Sequence, residues 1–187
     1  NAPYSEIHAL LTPADWDGPA RKASDAAIAA YIQKRGLTTF QAAVSTGQWE
    51  YPDGLFYGGN AAVWSNHTWR KLIREHASGA RRIVHLDFHT GLGGYGDCEV
   101  IFGPATVKQA DLARARAWWG RVACTSEGDS VSAPVQGVNP AAIAEEASGA
   151  EVTAVALEYG VVPVMDTLNS LRADNWLYTH GKGDIAS

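Results

Sequence analysis

The residues best suited to chemistry sit in one short run, His85-Leu86-Asp87-Phe88-His89-Thr90-Gly91. Alternate side chains of a strand share a face, so His85, Asp87 and His89 point the same way. A neutral imidazole is a good zinc ligand, and a neighbouring carboxylate can fix the orientation of its ring. The second candidate, Glu158, closes another apolar run, Val155-Ala156-Leu157. A carboxylate buried there is costly without a partner or a task. A general base beside a metal is one such task; an ion pair, for instance with Arg172, is the bland alternative. A third candidate is weaker. Ala43-Val44-Ser45-Thr46-Gly47 is similar to a nucleophile elbow, but that motif needs a strand before Ser45, and the residues ahead read as helical. The sequence holds neither a Gly-rich phosphate loop with its Lys nor a Cys-x-x-Cys pair.

The elements that must position these groups alternate in kind. Residues 20–35 carry an i, i+3, i+4 apolar stripe and Gly36 can end that helix; residues 37–46 predict a shorter one. Residues 47–66 are rich in Gly, Trp and Tyr around Pro52-Asp53-Gly54, a long loop with a turn signal. Such a loop suits a wall or lid, and residues 48–66 are expected to lie over or beside the cleft at His89. Ser65 or Asn66 is expected to cap a helix ended by Gly79. Strands are predicted at 82–88, 98–102, 122–124 and 152–157, and helices at 108–119, 139–147 (with Asn139 as cap) and from Pro163 onward. Alternation of this kind predicts an α/β fold with a central, mixed and largely parallel sheet flanked by helices. Neither a linker nor a repeat breaks the chain, so residues 1–187 read as a single domain.

Composition narrows the function. The chain has 187 residues, 46% hydrophobic and 19% charged, an ordinary globular balance. The net charge is −5 and Lys and Arg do not cluster, which argues against a nucleic-acid partner. No apolar run approaches the roughly 18 residues of a membrane span, and no signal peptide is visible; the cytoplasm is the default expectation. Cys98 and Cys124 are too few for a disulfide framework and are expected as buried free thiols.

Leu86-Asp87-Phe88-His89-Thr90-Gly91-Leu92-Gly93 resembles the Asp-Leu-His-Thr segment of the aspartoacylase and succinylglutamate desuccinylase group, within the zinc carboxypeptidase superfamily. The chain as a whole resembles a little-characterised, mainly bacterial branch of that superfamily. The stretches that carry this are Gly47-Gln48, Pro52-Asp53-Gly54-Leu55-Phe56-Tyr57-Gly58-Gly59, Trp64-Ser65-Asn66, Ser132-Ala133-Pro134 and Leu171-Arg172-Ala173-Asp174-Asn175-Trp176.

The resemblance implies that His89 is a zinc ligand and that Glu158 activates water; Asp87, on the same strand face, is expected to orient the His89 ring. The resemblance also implies hydrolysis of an amide, either a C-terminal peptide bond or an N-acyl amino acid, with one zinc ion in the complete site. Tyr57, Trp64, Asn66, Tyr95 and Arg172 are the candidates for lining the substrate cleft. The family takes its first two ligands from a His-x-x-Glu segment. None occurs here: the residues three after His8, His67, His76 and His180 are Leu11, Arg70, Gly79 and Gly183. The chain is therefore expected to be the C-terminal portion of such a catalytic domain, without its N-terminal strands and incomplete alone. The site would be completed by a missing N-terminal segment or another chain, and zinc would bind weakly or not at all to this chain. Two other functions compete: a non-catalytic binding module that retains the cleft, and a serine hydrolase using Ser45.

Overall fold

Four strands, β1 (Arg82–Gly91), β2 (Cys98–Phe102), β3 (Ala123–Cys124) and β4 (Glu151–Gly160), form one sheet in the order β1-β4-β2-β3. The structure, a computed structural model, describes residues 2–103 and 108–181. β1 pairs with β4 in parallel, β2 with β3 in parallel, and β2 runs antiparallel to β4. The sheet is thus mixed and largely parallel, as the alternation of elements predicts. β4 is the apolar centre, with Thr153, Ala154 and Val155 buried. Both β1 and β4 run past the ends of their apolar stretches, because the parallel ladder continues to Gly91 opposite Gly160.

Helices cover the two faces. α5 (Gln109–Trp119) packs Leu112 and Ala115 with Phe102, Val122, Cys124 and Val155. α4 (Trp64–His76) and α6 (Asn139–Glu146) pack Ile73, Ala142 and Ile143 with Ile83 and Val152 on the other face. Each fully buried aliphatic side chain of this kind stabilises the fold by about 1.5–3 kcal/mol. Ile83 and Val152 share parity with His85, Asp87, His89 and Glu158, so α4 and α6 lie on the face that carries the candidate residues. Each of these two helices feeds the following strand through a short turn. Their N-terminal turns therefore lie toward the C-terminal ends of β1 and β4.

The chain divides into two compact units, the sheet unit of residues 61–164 and a helical unit formed by the residues up to Asn60 and those from Met165. The helical unit holds α1 (Ala2–Leu11), α2 (Pro19–Arg35), α3 (Leu37–Ser45) and α7 (Val164–His180). Helix α1 is an addition to the sequence reading. Its signal is plain in retrospect: Tyr4, Ile7 and Leu11 follow i, i+3, i+7 and are fully buried with Ile28, Phe40, Leu55 and Leu168. The loop after α3 is ordered by buried Gln48. Its Nε2 donates to the Tyr51 and Leu55 carbonyls, and its Oε1 accepts from the Glu50 and Tyr51 amides. Gly54 is required there, because a Cβ would lie 2.5 Å from the Tyr4 hydroxyl.

Two expected caps are corrected. α4 begins at Trp64, with extended Val63 before it and no side-chain cap, so Ser65 and Asn66 belong to its first turn. α6 begins at Asn139 after Val138, again with no side-chain cap; the Asn139 amide is engaged by Asp87 instead. Cys98 and Cys124 are both free, but Cys98 is exposed rather than buried, since it opens β2 at its end. Among the described residues, no helix is long and apolar enough to cross a membrane.

Candidate functional site

The register of β1 on β4 sets His89 directly opposite Glu158. Residues paired across parallel strands point to the same face, so the imidazole and the carboxylate meet: Nδ1 of His89 lies 3.6 Å from Oε2 of Glu158. On its other edge, Nε2 of His89 lies 3.2 Å from Oδ2 of Asp87. The imidazole is held between two carboxylates. The Glu158 side chain is only 7% exposed, whereas the His89 side chain is 49% exposed. The pair thus joins a sheltered carboxylate to an accessible imidazole.

The Gly-rich turn after β1 orients Glu158. Leu92 donates its amide to Oε1 of Glu158 at 2.8 Å, a bond strengthened by the charge on its acceptor. The turn is folded onto the end of β4: Gly96 donates to the Gly160 carbonyl and Gly160 to the Asp97 carbonyl. Contact is so close that a Cβ on Gly160 would overlap the Gly94 carbonyl oxygen and the Gly93 backbone. Glycine at 160 is therefore a packing requirement of the turn that aims the Leu92 amide.

His85 lies deeper on the same face. Its Nδ1 is buried without a hydrogen-bond partner, and its ring is 5.6 Å from that of Trp69. Burial lowers its pKa, with Asp87 pulling the other way, which favours the neutral ring. Asp87 also accepts from Nδ2 of Asn139 at 3.3 Å, which ties α6 to the site. Glu99, which the sequence reading passed over, pairs with Glu158 across β2 and β4 and shares its face. Oε2 of Glu99 accepts from the Ser130 hydroxyl at 2.9 Å and from the Val131 amide at 3.0 Å. Glu99 is the one charged residue of β2, but only the pairing puts it beside Glu158.

A model described as a protein of unknown function, DUF2817, matches residues 1–186. The chain belongs to the DUF2817 family. Comparison with curated proteins and with solved structures finds no match.

The other residues singled out in this DUF2817 chain fare differently. Asn66 lines a cavity of about 280 Å³ with Trp69, Arg70, Asn139 and Glu145, where Arg70 is paired with Glu145 at 2.7 Å. Trp64 and Tyr95 are 80% and 89% exposed. Of the expected lid, residues 61–66 belong to the sheet unit and residues 48–60 to the helical unit, where Tyr57 is bridged to Gln48. Ser45 ends helix α3, so no strand precedes it and no nucleophile elbow forms. Arg172 is corrected from a cleft residue to a structural one. It is 1% exposed, and its guanidinium donates to Asp25, Ser24 and Asn169 and to the Leu10 and Leu11 carbonyls. Its acidic partner is thus Asp25 and not Glu158.

A catalytic zinc needs three protein ligands. Among the described residues, no group of three or more His, Cys, Asp or Glu side chains is arranged to hold a metal ion. The described residues of the DUF2817 chain do not by themselves fit a complete zinc site.

Proposed function

We propose that this DUF2817 chain supplies a metal ligand, His89, and the general base, Glu158, to an amide hydrolase acting on a C-terminal peptide bond or an N-acyl amino acid. The observation that carries the reading is the register that sets a sheltered carboxylate opposite an accessible imidazole, with the Leu92 amide orienting the carboxylate. Because the described residues lack a three-ligand set, any zinc would draw its remaining ligands from other groups.

The chain's own residues can perform the proton transfers. Oε2 of Glu158 accepts a proton from a water as its oxygen bonds to the amide carbon, and the same carboxyl returns that proton to the nitrogen as the C–N bond breaks. One carboxylate thus ends each cycle in the state in which it began. Asp87 holds the His89 ring from the side away from Glu158, which keeps Nδ1 on the side of the base.

The competing reading, a binding module that does no chemistry, keeps the same cleft without turnover. The test is Glu158→Gln in the full-length protein, assayed against a panel of N-acetyl amino acids and N-blocked dipeptides. The variant retains an acceptor for the Leu92 amide, so the fold should hold, while turnover should fall by about 10²–10⁴-fold, the range for a lost general base. Turnover within threefold of wild type, or a wild-type protein with no amidase activity on the panel, would refute the assignment.

A further inference from the structure

The segment between β3 and α6 is tethered on both sides of the candidate site. At its start, the Ser130 hydroxyl and the Val131 amide bind Oε2 of Glu99 on β2. At its end, the Asn139 side chain binds Asp87 on β1. β4, which carries Glu158, lies between β1 and β2, and all three acidic residues share one face. The two tethers are two strand spacings apart, about 10 Å. The chain from Val131 to Asn139 could extend about 27 Å, so it must arch rather than run taut. The arch contains Val131, Ala133, Pro134, Val135 and Val138, an apolar stretch stiffened by its proline. Glu99 and Glu158 are also like charges directly opposite each other, an unfavourable cross-strand pair. The sheet tolerates it because each carboxylate has its own donors.

We propose that the arch is the substrate-facing wall over His89 and Glu158, and that Glu99 is the positioning residue that fixes it. This rests on the amidase reading for what the wall encloses, but the tether itself does not. Glu99→Ala removes the acceptor, whereas Glu99→Gln keeps an oxygen that can take both hydrogen bonds. Hydrogen exchange in the full chain should show the Val131 amide exchanging about tenfold faster in the Ala variant, the equivalent of one hydrogen bond to a charged acceptor, and within about threefold of wild type in the Gln variant. Asn139→Ala should speed exchange at the other end of the arch. In the full-length protein, with the N-acetyl amino acid it hydrolyses most readily, Glu99→Ala should raise KM about tenfold and leave kcat within about threefold, with rescue by Gln. Unchanged Val131 exchange in Glu99→Ala would overturn the proposal, as would a fall in kcat at constant KM. Expected exchange behaviour alongside an active Glu158→Gln would sink the amidase reading and leave the tether standing.

Discussion

Replacing Arg172 with Ala should destabilise the helical unit by about 2–4 kcal/mol, and the size follows from what each partner keeps. Asp25 is 46% exposed and retains Arg21 at 2.8 Å, so it can rehydrate and contributes little to the loss. The Leu10 carbonyl retains the Ser24 hydroxyl. The Leu11 carbonyl, at the C-terminus of α1, loses the guanidinium and stays buried. An unsatisfied buried acceptor costs about 1–3 kcal/mol, and the void left by a fully buried side chain adds a term of similar size. The assay is urea unfolding followed by circular dichroism. With a slope of about 2 kcal/mol per M for a small unit, the midpoint should fall by about 1–2 M. Arg172→Lys keeps the charge but not the planar fork and should lie between the two. A loss below about 0.5 kcal/mol in the Ala variant would refute the reasoning, because it would mean that the buried network is not stabilising.

Gly160→Ala should cost about 1–3 kcal/mol, since the new methyl meets the Gly93 and Gly94 backbone and not a yielding side chain; thermal unfolding checks this, and an unchanged midpoint would contradict the packing argument. Acid should weaken the helical unit through Asp25. Burial pushes that carboxyl up, but the hydrogen bonds from Arg172 and Arg21 prevail and hold it below its ordinary value. A depressed folded value gives stability that is fully present above about pH 4 and is lost as the pH falls through the folded value, so Asp25→Asn should flatten the acid limb of the urea midpoint against pH. His89→Ala should abolish turnover of the full-length protein and shift stability by no more than about 0.5 kcal/mol, as expected for a half-exposed side chain; a large loss of stability would make His89 structural. After dialysis, elemental analysis of the isolated chain should find well under one zinc per chain; stoichiometric retention would instead mark His85, Asp87 and His89 as a self-contained site.

Local pattern is enough to read much of this protein. The bounds of β2, the helical stripe of α2, and the shared parity of His85, Asp87 and His89 all follow from periodicities of two and 3.6 residues, which a sequence displays directly. Glu158 at the end of an apolar run stands out because a carboxylate there needs a reason. The stripe Tyr4, Ile7, Leu11 is equally legible, although only the structure drew notice to it. The DUF2817 match spans residues 1–186, whereas the resemblance to zinc carboxypeptidases rests on short stretches such as those around His89 and Asn175.

The tertiary structure decided what depends on pairing between distant residues. No local signal says that β4 inserts between β1 and β2, yet that order sets Glu158 against His89 on one side and Glu99 on the other. The role of Arg172 was decided the same way: its partners Leu10, Leu11, Ser24 and Asp25 are more than a hundred residues away in sequence. From sequence alone, a cation in a helix reads the same whether it faces solvent, a substrate or a buried network. Side-chain type and spacing fix which face a residue occupies within its own element, because backbone geometry is local. What lies across that face is set by strand register and helix packing, which bring together groups that the chain keeps far apart.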